Sequence, residues 1–112
     1  MSENDECILI QVIVSSTELF EGKLLYDAIV EMAQESGLDG ATVLRGAEGF
    51  GAGGHIHKKQ PFRSSDDIPV VIMLIDKADR IQKFLPVLNK MVKKGLVIQT
   101  GATVIVHRHT GD

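Results

Sequence analysis

Two apolar runs constrain the fold of this chain more than any other feature. Cys7 to Val14 is apolar except at Gln11, and Val70 to Ile75 is apolar throughout. Both runs are rich in β-branched residues and far shorter than the roughly 18 residues of a membrane span, which favours buried β-strands. Successive side chains of a strand point to opposite faces. The runs therefore predict a sheet that is apolar on both of its faces.

Two helices are predicted from apolar residues at helical spacing. The first begins between Thr17 and Lys23, ends at Gly37, and buries one stripe of residues: Leu24, Leu25, Ala28, Ile29 and Met32. The second buries a longer stripe: Ile81, Phe84, Leu85, Leu88, Met91 and Val92.

Charged and special residues define the ends of the second helix. We expect Asp76 as its N-cap, Asp79 in its first turn, and Lys93, Lys94 and Gly95 at its close. Pro86 lies inside the stripe, where proline kinks a helix. The stripe keeps its phase across Pro86, so the pattern predicts one kinked helix and not two.

The first run is one strand, and three others complete the pattern. They are Ala41–Arg45, Ile68–Asp76, which contains the second apolar run, and Leu96–Val106, which has a break near Gly101. The order is strand, helix, strand, strand, helix, strand. This order is typical of an α+β, ferredoxin-like βαββαβ sandwich, in which two helices cover one face of a four-stranded antiparallel sheet. We predict one domain over residues 1–112, with a flexible loop at about 46–66 and a short tail at 107–112.

A sheet that is apolar on both faces cannot be covered by two helices on one of them. Exposed aliphatic side chains would form a patch larger than monomers usually tolerate. A homo-oligomer that buries the open face is the simplest solution. The alternative is local shielding of that face by Gln11, Thr103 and the tail.

Composition excludes several classes of protein. Twelve basic against fifteen acidic residues give a net charge of −3, which argues against a nucleic-acid-binding protein, and the apolar runs carry no aromatic residues on which RNA bases could stack. Cys7 is the only cysteine, so no intrachain disulfide forms. The acidic N-terminal residues 1–6 do not resemble a signal peptide, and we expect a cytoplasmic protein.

Five of the nine residues from Gly46 to Gly54 are glycine. Without a Cβ, such a segment can bring backbone N–H groups close to an anion. Basic side chains that could add positive charge are Lys58, Lys59, Arg63, Lys93, Lys94 and Arg108. The spacing fits neither a P-loop nor a dinucleotide-binding fingerprint. A connector in which the glycines only turn the chain is the alternative.

All four histidines of the chain lie in two H-x-H pairs, His55 with His57 and His107 with His109. On extended backbone the two side chains of a pair point the same way, so each pair could chelate Zn or Cu. Solvent-exposed histidines are the alternative. The serines lack a nucleophile-elbow context, and Asp66–Asp67 reads as a solvated turn. We therefore predict that the protein is not an enzyme.

Several segments together resemble a known family. They are Thr42 to Gly51, His55–Ile56–His57, Asp67 to Ile72, Phe84–Leu85–Pro86 and Gly95–Leu96–Val97. In combination they are similar to a bacterial and archaeal family of uncharacterised function within the PII-like group of signalling proteins. The resemblance covers roughly residues 7 to 106.

This resemblance implies a ferredoxin-like protomer, a homotrimer, and a regulator that binds an adenine nucleotide or another phosphate ligand between subunits. The corresponding positions are Gly49 and Gly51, then Lys93 to Gly95, then Arg108. A protein partner of unknown identity, membrane-associated proteins included, would bind the glycine-rich loop. CutA-like proteins share the trimeric architecture and are linked to divalent metals, so a metal-binding trimer using the histidine pairs is the alternative.

Overall fold

The computed structural model describes residues 1–50, 56–58 and 67–108. The helices are α1 (Leu25–Glu35) and α2 (Ala78–Met91). The strands are β1 (Glu6–Ser15), β2 (Leu19–Phe20), β3 (Lys23–Leu24), β4 (Gly40–Arg45), β5 (Glu48–Phe50), β6 (Ile56–Lys58), β7 (Pro69–Lys77) and β8 (Leu96–Thr103).

Four strands form the main sheet in the order β4-β7-β1-β8. All three pairings are antiparallel, with Gln11 of β1 opposite Met73 of β7 on one side and Ile98 of β8 on the other. Both helices pack on one face of this sheet. The predicted βαββαβ sandwich is confirmed.

The core lies between the helices and one face of the sheet. It consists of alternate residues of the central strands and the inward stripes of the helices: Ile10, Val12, Val14, Val70, Ile72 and Leu74, with Leu25, Ala28, Ile29, Ala33, Ile81, Phe84, Leu88 and Met91. The core is largely aliphatic, and Phe84 is its one aromatic residue among those that the structure describes.

The other face of the sheet, the open face, has no helix over it in the part of the chain that the structure describes. Its apolar side chains are half-buried on the central strands and exposed at both edges: Leu9, Ile13, Val71, Met73 and Ile75, with Leu44, Leu96 and Ile98. The C-terminal tail, which the structure describes up to Arg108, does not shield this face. Its apolar residues Ile105 and Val106 are themselves 72% and 55% exposed. Both predicted apolar faces are therefore present.

The predicted start of the first helix between Thr17 and Lys23 is wrong. Residues 19–24 form a small hairpin of β2 and β3, and α1 begins only at Leu25. Glu21 and Gly22 both have positive φ, 50° and 82°, which is the backbone of a tight two-residue hairpin turn. The predicted end is confirmed, because Gly37 has φ 81° and its N–H and that of Leu38 bond back to Gln34 and Ala33.

Asp76 does not cap the second helix, contrary to the prediction. Lys77 occupies the N-cap position, and no side chain bonds there. Asp76 is instead fully buried, and its two carboxyl oxygens accept hydrogen bonds from the backbone N–H groups of Lys77 (2.6 Å) and Asp39 (3.1 Å). Asp79 lies in the first turn as predicted, and α2 runs through Pro86 as one helix.

The fourth strand is shorter than predicted and continuous. β8 passes through Gly101 without a break and ends at Thr103, not at Val106. Strand β1, with which β8 pairs, begins at Glu6 opposite Thr103, and the chain before it turns at Asn4, which has φ 66°. β8 therefore ends where its pairing with β1 ends. In the described part of the chain, no helix is long and apolar enough to cross a membrane.

Candidate functional site

One end of the main sheet brings together segments that are distant in the sequence. Ser15 at the end of β1 lies opposite Pro69 at the start of β7, and Ile13 lies opposite Leu96 at the start of β8. Arg45 at the end of β4 pairs with Val70. The glycine-rich segment and the Lys93–Gly95 loop therefore lie at the same end of the sheet, one at each edge.

The glycine-rich segment starts with close packing against Pro69. The N–H of Gly46 donates to the carbonyl oxygen of Pro69 at 2.7 Å. A Cβ on Gly46 would lie 2.8 Å from Cγ of Pro69, and one on Gly49 would lie 3.2 Å from the same atom. These two glycines thus have a packing role at the root of the segment.

Within the predicted loop, β5 and β6 form a second small hairpin. Gly49 pairs with His57, and Glu48 pairs with Lys58, so His57 and Lys58 lie on paired strand backbone beside Gly49. Gly51, Gly53, Gly54, His55, Lys59, Arg63 and His109 lie outside the described residues. Sequence reasoning missed this hairpin because glycine is depleted in strands and gives no strand signal.

Hydroxyl groups at the end of β1 bond to Asp67 and Ile68, which follow the glycine-rich segment in the chain. Ser15 Oγ donates to the carboxylate of Asp67 and lies 2.9 Å from the hydroxyl of Thr17. The buried Ser16 Oγ accepts a hydrogen bond from the N–H of Ile68 at 3.0 Å. Asp67 is thus half-buried and bonded, which corrects the prediction of a solvated turn. Since Ser15 and Asp67 are 52 residues apart, no local sequence signal could have paired them.

The Lys93–Gly95 loop connects α2 to β8. Both lysine side chains are exposed, and neither has an ion-pair partner among the described residues. Gly95 has φ 138°, and a Cβ there would lie 2.6 Å from the carbonyl oxygen of Ile13. Only glycine fits this position without displacement of β1, and the loop thereby presents two uncompensated positive charges next to the end of the sheet.

Arg108 and His107 lie at the opposite end of the sheet. Arg108 Nε is 3.4 Å from Oε1 of Glu3, and His107 Nδ1 is 2.9 Å from the carbonyl oxygen of Met1. The ten-residue strand β1 separates the two ends by roughly 30 Å. Arg108 therefore does not meet the Lys93–Gly95 loop of its own protomer.

The N-terminal residues fill the space at that far end. The amino group of Met1 lies 3.0 Å from Oδ2 of Asp39, and this hydrogen bond holds the pKa of the Asp39 carboxyl below its usual range. Across the described residues, no group of three or more His, Cys, Asp and Glu side chains is arranged to hold a metal ion. The alternative of a metal-binding trimer gains no support from this part of the chain.

Comparison with known proteins decides the family. The sequence matches DUF190, a family described as "Uncharacterized ACR, COG1993", over residues 7–104. The chain belongs to the DUF190 family. The match spans both helices and all four strands of the main sheet, and confirms the resemblance to a family of uncharacterised function.

DUF190 relatives come from both bacteria and archaea. A UPF0166 protein of Aquifex aeolicus is 40% identical over 77 residues, which cover 69% of this chain and 73% of the relative. A UPF0166 protein of Methanocaldococcus jannaschii is 33% identical over 97 residues, which cover 86% of this chain and 89% of the relative.

Solved structures similar to this DUF190 protein have a PII-like fold. CPII of Thiomonas intermedia K12, a nitrogen regulatory PII-like protein bound to ADP, AMP and bicarbonate, superposes with a TM-score of 0.69 at 14% identity, covering 88% of each chain. A putative PII-like signaling protein of Thermus thermophilus gives a TM-score of 0.59 at 17% identity, covering 89% of this chain and 88% of the other. The fold is therefore PII-like.

Proposed function

We propose that this DUF190 protein is a trimeric, non-enzymatic regulator that binds an adenine nucleotide in the clefts between its protomers. The main support is its fold, which it shares with CPII, a protein described as bound to ADP and AMP. At 14% identity the shared fold carries no residue over, so the binding groups must be argued from this chain.

The exposed lysines at the edge of the sheet fit the phosphate part of such a ligand. Lys93 and Lys94 are held next to a glycine that allows close approach of backbone N–H groups. Lysine and backbone N–H groups are the donors that phosphates bind in proteins. No carboxylate pairs with these lysines among the described residues, so a bound phosphate would meet positive charge that is not already neutralised.

The remaining predicted groups favour a site made by two protomers. Gly49 lies at the far edge of the same sheet end, three strands away, which is roughly 14 Å at ordinary strand spacing. Arg108 lies at the opposite end of the protomer. One compact ligand contacts all of these groups only if a neighbouring protomer supplies some of them.

The open face supports the trimer. Its central rows run across four strands as Leu44–Val71–Ile13–Leu96 and Thr42–Met73–Gln11–Ile98. Burial of apolar surface is worth about 25 cal/mol per Å², so covering several hundred Å² of this face stabilises an assembly by many kcal/mol. Neighbouring copies that cover the open face would lie edge to edge. The lysine loop of one copy, next to edge strand β8, would then lie close to the sheet of its neighbour.

Calorimetric titration with ATP, ADP and AMP tests the proposal. We expect binding of at least one nucleotide, and a loss of about tenfold or more in affinity in the Lys93→Ala/Lys94→Ala variant, since hydrogen bonds to charged groups contribute about 1.5–3 kcal/mol. The matched control is Lys83→Ala/Lys90→Ala, which removes two exposed lysines from α2 and should bind as the wild type does. No heat with any nucleotide, or equal losses in both variants, would contradict the proposal.

We propose further that a protein partner binds the glycine-rich segment, residues 46–65. Gly49, in the hairpin of β5 and β6, lies at the same end of the sheet as the lysine loop, so one ligand bound between protomers could affect both. The segment contains no tyrosine, so control by uridylylation, as in some PII proteins, is not expected. Pull-down with the full chain and with a chain lacking residues 51–66 tests this, and a partner captured equally by both would place the binding surface elsewhere.

A further inference from the structure

The outer surfaces of the two helices carry opposite charge. The helix α1 (Leu25–Glu35) holds three carboxylates and no basic side chain, for a net charge of −3. The helix α2 (Ala78–Met91) holds three basic side chains and one carboxylate, for a net charge of +2. The chain thus places a net negative charge on one helix and a net positive charge on its neighbour.

The charged side chains are exposed and are not paired across the two helices. On α1, Asp27, Glu31 and Glu35 follow one another at four-residue spacing and are all exposed; on α2, Lys83 and Lys90 are exposed. The described ion pairs in this region are Lys23–Glu31, Lys77–Asp5 and Arg80–Asp76, and none joins α1 to α2. The acidic and the basic surfaces are therefore both available to a partner.

The acidic surface of α1 is unfavourable for the helix itself. Like charges at i, i+4 repel and destabilise a helix by a few tenths of a kcal/mol per pair. Glu35 in the last turn meets the negative end of the helix dipole, and α1 has no basic residue in its last turn. Asp27 in the first turn is favoured by the helix dipole and Glu31 pairs with Lys23, so it is Glu35 that local interactions leave unexplained and that an interaction with a basic surface would explain.

We propose that the helix layer is a self-complementary docking face for a second copy of this chain. A two-fold axis parallel to the helices would place α1 of one copy over α2 of the other, and the reverse, so that acidic faces basic twice. A shallow cleft between the helices, lined by Ser36, Asp79, Arg80, Lys83 and Phe84, offers Lys83 to a carboxylate of the partner, whereas Arg80 already donates to the carbonyl oxygen of Gly37 and pairs with Asp76. This contact is separate from the open face, and would join two trimers through their outer surfaces.

Charge complementarity between exposed groups makes the contact dependent on salt. Exposed ion pairs contribute little each, and at about 0.1 M salt their field is screened beyond about 10 Å. We therefore expect an association that is strong only at low ionic strength. Because each trimer carries three such helix layers, sedimentation velocity should give a particle heavier than three times the protomer mass of 12.2 kDa at about 20 mM salt, and three times that mass at about 500 mM.

Charge reversal with rescue tests the pairing of surfaces. Lys83→Glu/Lys90→Glu makes both helices acidic, and Asp27→Lys/Glu31→Lys makes both basic, so neither variant should associate with itself beyond the trimer. Mixed together at low salt, the two variants should form the larger particle again. Circular dichroism of each variant confirms that it is folded.

A matched pair of variants separates contact from overall charge. Lys83→Gln/Lys90→Gln and Lys93→Gln/Lys94→Gln change the net charge by the same amount, but only the first pair lies on α2, the second lying in the loop that follows it. Only the first should weaken association, by about tenfold or more. A wild-type chain that never exceeds the trimer at low salt, or reversed variants that do not combine, would overturn the inference. If the chain proved monomeric, the proposed trimer would fall, and a salt-dependent dimer would still support the helix-layer contact.

Discussion

The backbone of Gly95 lies directly against the carbonyl oxygen of Ile13, so that a Cβ at position 95 would be only 2.6 Å from that oxygen. This contact fixes where the lysine loop ends and where β8 begins its pairing with β1. The shape of the proposed phosphate site is therefore coupled to the packing of the main sheet.

Replacing Gly95 by alanine should destabilise the fold. The new methyl group collides with Ile13 and Val14, and φ 138° is strained for any residue with a Cβ. We expect a loss of about 2 kcal/mol or more in the free energy of unfolding, measured by urea denaturation. Gly101→Ala in the adjoining strand β8 is the control, because a Cβ there meets nothing within 4 Å. Equal stability of the two variants would contradict the described contact.

The side chain of Asp76 should matter more than that of Asp79, although only Asp79 lies in the first turn of α2. Asp76→Ala leaves the N–H groups of Lys77 and Asp39 without their partner in a buried place, at a cost of about 2 kcal/mol or more. Asp79→Ala loses only a favourable interaction with the helix dipole, about 0.5 kcal/mol. Thermal or urea unfolding of both variants measures the two losses of stability. A larger loss in Asp79→Ala than in Asp76→Ala would contradict the hydrogen bonds described for Asp76.

The single cysteine should be unreactive in the folded protein. Cys7 is 2% exposed, and burial raises the pKa of its thiol, so that less thiolate is present at a given pH than in an unfolded chain. We expect alkylation by iodoacetamide at pH 8 to be slower by about a hundredfold or more than in urea, where the thiol is exposed. Fast alkylation of the native chain would show that β1 opens at its start or that Cys7 is not buried.

A charge on the open face should separate the proposed trimer into folded protomers. Met73 lies in the middle row of that face, between Thr42 and Gln11, and does not contribute to the core beneath the helices. Met73→Glu is therefore expected to leave circular dichroism unchanged and to reduce the sedimenting mass to 12.2 kDa. The control Gln82→Glu adds the same charge on α2 and should leave the trimer intact. A trimer that survives Met73→Glu would mean that the open face is not its interface.

The sequence was sufficient to predict the fold because the strands and helices that form it are strongly patterned. The runs around Ile10 and Ile72 and the stripe from Ile81 to Val92 are long, periodic and unambiguous, and each was found as an element of the predicted type. Both faces of the sheet could also be assigned, since alternation in a strand follows from its geometry.

Predictions failed where short-range geometry or distant partners decide the outcome. The β2–β3 hairpin depends on positive φ at Glu21 and Gly22, and only Gly22 gives any sequence signal for it. Asp76 looked like a cap because aspartate before a helix usually is one. One of its actual partners, the N–H of Asp39, is 37 residues away and has no local signature.

The candidate site could be predicted in composition but not in arrangement. Lysines, glycines and an arginine were identified from residue type and from the family resemblance. That Lys93 and Gly49 share one end of the sheet while Arg108 lies at the other follows only from the strand order and register. This separation is what makes a site between protomers the simplest arrangement.

Sedimentation equilibrium of the wild-type chain at micromolar concentration and moderate salt tests the central claim most directly. The account predicts a particle of three times 12.2 kDa, held together by the open face. A stable particle of 12.2 kDa that is fully folded by circular dichroism would contradict it, because no neighbour would then complete the site next to Lys93 and Lys94.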